Sequence, residues 1–118
     1  MTTFESDLSK WEVENVTDMS WMFAVAVCFK SDLSRWNVSS VNKMSCMFEN
    51  TASFEADLSK WNVENVENMA CMFYNAMSFR SDLRMWNVYN VKDMNSMFSG
   101  ASSFDMNLSP VTDIDMKI

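Results

Sequence analysis

The chain is 118 residues long, 48% apolar and 21% charged, a composition that excludes an intrinsically disordered protein and suffices for one core closed without disulfides or metal. Sixteen Asp and Glu against nine Lys and Arg leave a net charge of −7, which excludes a surface built to neutralise a nucleic-acid backbone. The longest apolar run, residues 21–29, is about half of what spans a bilayer and so excludes membrane insertion.

From the N-terminus, "MTTFESDLSK" lacks the basic and apolar regions of a signal peptide, so none is expected. Residues 1–7 read as the tail of a repeat unit. Four full units of equal length follow, 8–32, 33–57, 58–82 and 83–107. Residues 108–118 restart the pattern in degenerate form, as a terminal cap does. A 25-residue period predicts a single solenoid, because a unit of that size cannot close a core alone and must stack on its neighbours.

Within each unit the first apolar pair alternates: Trp11 and Val13, Trp36 and Val38, Trp61 and Val63, Trp86 and Val88. That period of two predicts a short parallel strand. Val41, Met44, Met47 and Phe48 then recur at helical spacing, which predicts a short helix. Asn15, Ser40, Asn65 and Asn90 precede the helix as N-caps. Asn50, Asn75 and Gly100 follow it as residues that tolerate the left-handed conformation, whereas Val25 resists it and predicts a looser turn in the first unit. The chain returns through Ala26, Ala76 or Ala101 and the column Phe29, Phe54, Phe79 and Phe104. Strands stack more closely than helices, so the expected α/β solenoid carries its strands on the concave side and its helices on the convex side.

The recurring pattern "LSxWxVxxVxxMxxMFxxAxxFxxD" resembles the repeat of BspA-like leucine-rich-repeat surface proteins, also called the mycoplasma lipoprotein-associated repeat, over nearly the whole chain. The general leucine-rich template fits only through Leu8, Trp11 and Val13. Val16 stands where its Asn or Cys belongs, so no asparagine ladder is assumed. The resemblance implies a protein at the cell surface or secreted, engaged in adhesion or partner binding rather than catalysis.

The drifting positions beside the strand are the candidate partner-binding residues: Lys10, Glu12, Arg35, Asn37, Lys60, Asn62, Met85, Asn87 and Tyr89, with Glu14, Ser39 and Glu64 beside them. Arg35 and Tyr89 stand out, since Arg and Tyr dominate binding hot spots. The expected partner is a protein or cell-surface ligand. A competing reading is a structural unit that self-associates, forming a homo-oligomer through the ends of the solenoid.

The column Asp7, Asp32, Asp57 and Asp82 offers carboxylates for calcium, but a single Asp per unit more simply bonds its own backbone in an Asx turn. Met22, Met47, Met72 and Met97 lie beside Phe23, Phe48, Phe73 and Phe98 and read as core rather than copper ligands. Cys28, Cys46 and Cys71 form neither a disulfide framework nor a C-x-x-C metal pair. Cys46 and Cys71 share a position on the outer side of the expected helix, as does Trp21, which places them exposed and too far apart to bond. With no His, no nucleophile–base spacing and no Gly-rich loop, neither enzymatic activity nor a cofactor or metal is expected.

Overall fold

The computed structural model describes residue 8, residues 10–26 and residues 32–110. The partial unit 1–7 with Asp7, the first unit's Cys28 and Phe29, and residues 111–118 of the degenerate unit lie outside the described residues.

Residues one period apart lie on one another. Asp18 bridges Lys43, Lys43 bridges Asn68 and Asn68 bridges Asp93, each pair parallel and isolated. Around these bridges, alternate backbone N–H groups donate to the following coil: Met44 to Asn68, Cys46 to Ala70, Phe48 to Met72 and Asn50 to Tyr74, at 2.7–2.9 Å. The intervening N–H groups turn back along their own coil. Met47 donates to Met44, Glu49 to Cys46 and Thr51 to Phe48, so the segment is a ribbon of consecutive β-turns.

This corrects the expected α/β architecture. Residues 41–49 are not a helix, residues 36–38 are not a strand, and the one regular helical element among the described residues is the 3-10 helix Met106–Leu108. Among the described residues no sheet and helix oppose each other, so there is neither a concave strand side nor a convex helical side. The physical reason lies in the aromatic columns. Phe23, Phe48, Phe73 and Phe98 stack coil on coil with ring centroids 5.6–5.7 Å apart, whereas packed helices need about 8–10 Å between axes. Segments of about nine residues gain little helical stability of their own. A turn ribbon satisfies every second N–H through the neighbouring coil at a spacing close to that of a sheet.

The ribbon requires a left-handed residue twice per coil. Trp21 and Val25, Cys46 and Asn50, Cys71 and Asn75, and Ser96 and Gly100 have φ between 57° and 76°. Asn and Gly suit that conformation. At Gly100 an added Cβ would stand 2.0 Å from Asn75 Oδ1, so a larger residue there has to displace the Asn75 side chain. The looser turn expected at Val25 is not observed: its φ is 57° and its N–H donates to Glu49 at 2.8 Å, so the ladder imposes the conformation on a β-branched residue.

The buried set follows the repeat. Leu33, Val41, Met44, Met47, Phe48 and Phe54 are all fully buried, as are Leu58, Val66, Met69, Met72, Phe73 and Phe79 one coil on. Met97 is buried as well, while Met22 in the first coil is 38% exposed. The second to fourth units each close a second stack, with Phe48 on Phe54 at 4.2 Å, Phe73 on Phe79 at 4.0 Å and Phe98 on Phe104 at 4.2 Å. The alternation around Trp and Val survives without a strand: Trp36 and Val38 are buried and Asn37 between them is exposed.

A tryptophan clamp joins the coils at this edge. The indole Nε1 of Trp36 donates to the carbonyl of Leu8, that of Trp61 to Leu33 and that of Trp86 to Leu58, each at 2.9 Å and buried. Each leucine carbonyl also accepts the backbone N–H that closes its own turn, as Leu33 does from Trp36. Trp11 departs from the buried position expected for it, being 53% exposed.

Two outcomes follow for stability. Trp61→Phe removes a buried donor and part of a packed ring, and is expected to cost about 2–4 kcal/mol; Trp11→Phe, at the same repeat position but exposed, is expected to stay within about 0.5 kcal/mol of the parent. Urea unfolding of the two variants measures the contrast. Val25→Asn relieves left-handed strain at a residue that is 48% exposed, and the same measurement is expected to show a gain of about 1 kcal/mol.

Candidate functional site

The candidate residues occupy two successive turn corners of each coil. Lys10, Arg35, Lys60 and Met85 are the third residues of turns closed by Trp11 to Leu8, Trp36 to Leu33, Trp61 to Leu58 and Trp86 to Leu83. All four are exposed. Glu12, Asn37, Asn62 and Asn87 lie between the Trp and Val of their coils and are exposed too. Tyr89 sits in the next turn, closed by Val91 to Val88. Met85 is 86% and Tyr89 90% exposed, the two least covered large hydrophobic side chains among the described residues.

The structure assigns the asparagines a local task that the sequence reading missed. Oδ1 of Asn37 accepts from the N–H of Ser39, that of Asn62 from Glu64 and that of Asn87 from Tyr89, at 3.0–3.1 Å. These are Asx turns, so one polar atom of each side chain is already committed to the scaffold. Asn65 and Asn90, expected as helix N-caps, donate to the carbonyls of Ser39 and Glu64 in the preceding coil. Among the described residues no salt bridge engages Lys10, Arg35 or Lys60; the two ion pairs join Arg84 to Asp82 and Lys92 to Glu67.

The aspartate column makes the Asx turns expected of it. Asp32 accepts from Ser34, Asp57 from Ser59 and Asp82 from Arg84, at 2.9–3.0 Å. A third column, Asp18, Asn68 and Asp93, does the same two residues ahead of Ser20, Ala70 and Asn95. Asp57 also accepts from the hydroxyl of Ser81, which in turn accepts from the N–H of Leu58. An open acidic groove of about 520 Å³ is lined by Asp32, Asp57 and Glu55 together with Ser34, Ser53 and Ala56. A second groove of about 340 Å³, apolar, is lined by Trp11, Met22, Phe23, Ala24 and Ala26 in the first coil.

With this geometry in view, comparison with known families decides the relationship. Residues 1–111 match the family described as "Mycoplasma protein of unknown function, DUF285". The chain belongs to the DUF285 family. No curated protein and no solved structure matches it. Nothing in these comparisons extends the relationship to leucine-rich repeats, and the turn-built coils of this DUF285 chain are not those of a strand-and-helix repeat.

The cysteines depart from expectation in this DUF285 chain. Cys46 is 8% exposed and Cys71 half-buried rather than both facing solvent, and both are free thiols. Burial first, then hydrogen bonding to and the charge of Glu49, with Cys71 adding less, pushes the Cys46 thiol up to about 12. Trp21, at the same repeat position, is 59% exposed as expected.

The aspartate turns carry a pH dependence. Hydrogen bonding from Ser59, backbone first, and then from Ser81 holds the Asp57 carboxyl below its ordinary value of 3.8. A depressed folded-state value stabilises the fold above the unfolded-state pKa, and that stabilisation is lost as pH falls through the folded value. Asp57→Asn keeps the Asx acceptor without the charge. Thermal melts between neutral pH and pH ~2 are expected to give this variant a melting temperature below the parent's at pH 7 and a shallower fall in acid, so that the two curves converge at the acid end.

Proposed function

We propose that this DUF285 chain is a non-enzymatic binding module that presents the row of turn corners bearing Lys10, Arg35, Lys60, Met85 and Tyr89 to a protein or cell-surface ligand. The observation that carries this reading is the near-complete exposure of Met85 and Tyr89 on corners held by backbone and Asx hydrogen bonds. Large side chains displayed from a rigid support lose little freedom on binding, which suits them as anchors. The cationic column beside them has no salt bridge among the described residues and would set orientation. The resemblance of the repeat to BspA-like surface proteins adds a location, at the cell surface or secreted. Among the described residues no helix is long and apolar enough to cross a membrane.

A second reading, self-association, has its own observation. Along residues 44–50 and their equivalents the ladder is polar, each coil donating N–H groups to the next, while Asn42, Glu67 and Lys92 donate back to the coil before. The carbonyls of Asp18, Ser20, Met22 and Ala24, whose equivalents Lys43, Ser45, Met47 and Glu49 all accept from the coil before, accept nothing of the kind among the described residues. At the other end, the N–H groups of Met94, Ser96, Phe98 and Gly100 likewise make no backbone bond among the described residues, although their equivalents Met69, Cys71, Phe73 and Asn75 donate onward. Acceptors at one end and donors in the same register at the other suit head-to-tail stacking of copies, a heterologous contact.

One pull-down compares the readings. Wild type and an Arg35→Glu, Tyr89→Ala double variant that melts like it are presented to cell extracts, and sedimentation velocity is run on both over a range of concentrations. The binding reading expects a partner retained by wild type and weakened at least tenfold by the variant. Retention of the chain alone, with a sedimentation coefficient that rises with concentration equally in both proteins, would replace it with self-association.

A further inference from the structure

The turn ribbon brings together three donor atoms that the proposed binding face does not use. Cys46 opens the turn that Glu49 closes, with the Glu49 N–H bonded to the Cys46 carbonyl. Cys71 occupies the same turn position one coil on, and the N–H groups of Cys46 and Cys71 donate to the equivalent carbonyls of Ala70 and Asn95. Their φ angles are 59° and 57°, so both residues share one backbone conformation. The result is that the two sulfur atoms and a Glu49 carboxylate oxygen all lie within 4.8 Å of one another. The equivalent turns of the first and last coils carry Trp21 with Ala24 and Ser96 with Ser99, so only the step between the second and third coils has this donor set.

We propose that Cys46, Cys71 and Glu49 form a binding site for a thiophilic divalent metal ion of the zinc class. Zinc takes thiolate sulfur at about 2.3 Å and carboxylate oxygen at about 2.0–2.2 Å in a tetrahedral arrangement, which sets donor-to-donor separations near ~3.5–3.8 Å. Donors no more than 4.8 Å apart reach this by drawing in by about 1 Å, within the range of Cys and Glu side-chain rotation. Two sulfurs select a soft or borderline ion over calcium or magnesium, which take oxygen ligands. Glu49 has no salt bridge among the described residues, and its hydrogen bond with the Cys46 thiol is given up when that proton leaves for the metal–sulfur bond. On binding, each thiol releases its proton to solvent and a metal–sulfur bond replaces the S–H bond, so no oxidant or reductant enters. Three protein ligands leave the fourth position to water. The ion ties the second coil to the third through side chains as well as through the ladder.

The test uses the full chain, reduced by a metal-free phosphine and stripped of metal, titrated with Co²⁺ as a spectroscopic probe. The expected result is thiolate-to-cobalt charge-transfer absorption and tetrahedral d–d bands that saturate at one ion per chain and vanish when Zn²⁺ is added. Cys46→Ser and Cys71→Ser each abolish the charge-transfer signal of this site, Glu49→Gln retains it with affinity lowered roughly tenfold or more, and Cys28→Ser leaves it unchanged. The wild-type signal needs no variant to fold: its absence from a protein whose thiols are reduced overturns the proposal. Loss of the signal with Cys28→Ser, or survival of full affinity in Glu49→Gln, overturns the assignment of these three ligands.

Discussion

The structure depends on one constraint, the spacing at which coils lie on one another. Phenylalanine columns stacked at 5.6–5.9 Å from coil to coil hold the units closer than helices permit. Backbone polar groups in that confined space must pair, and the chain meets the demand by alternation. Every second N–H crosses to the neighbouring coil, and those between close turns. Turns, left-handed residues, indole clamps and Asx caps are all ways of keeping a non-helical, non-sheet backbone satisfied. No buried side-chain nitrogen or oxygen among the described residues lacks a partner.

The same spacing organises the surface. Because each coil repeats the turns of the one before, a side chain type at one position becomes a column, and columns of polar residues behave differently according to whether their atoms reach the backbone. Asp32, Asp57, Asn37 and Asn62 reach it and cap turns. Lys10, Arg35, Lys60, Met85 and Tyr89 extend beyond their corners, exposed, which is why they and not the asparagines between them lead the proposed binding face.

The repeat, the buried set and the turn-capping role of the aspartates were legible in the sequence because each is a local or periodic property. Leu33, Trp36, Val38, Met44 and Phe48 are buried whether the segment containing them is a helix, a strand or a turn ribbon. The choice among these was not legible: Val41, Met44, Met47 and Phe48 follow a spacing that serves a helix, and only the neighbouring coil's carbonyls show where their N–H groups go. The Val25 turn failed as an expectation for the same reason, since a ladder of bonds donated to the next coil outweighs one residue's preference.

Sequence by itself determined the unit length, the apolar columns and the net charge of −7. Tertiary structure alone decided that the coils pack at aromatic stacking distance, and with it the turn ribbon, the clamp of Trp36, Trp61 and Trp86 each on the leucine 28 residues before it, and the meeting of Cys46, Glu49 and Cys71. The physical reason is that a periodic pattern states which side chains share an environment, while the distance between copies of that pattern comes from how rings and backbone groups of different coils satisfy one another.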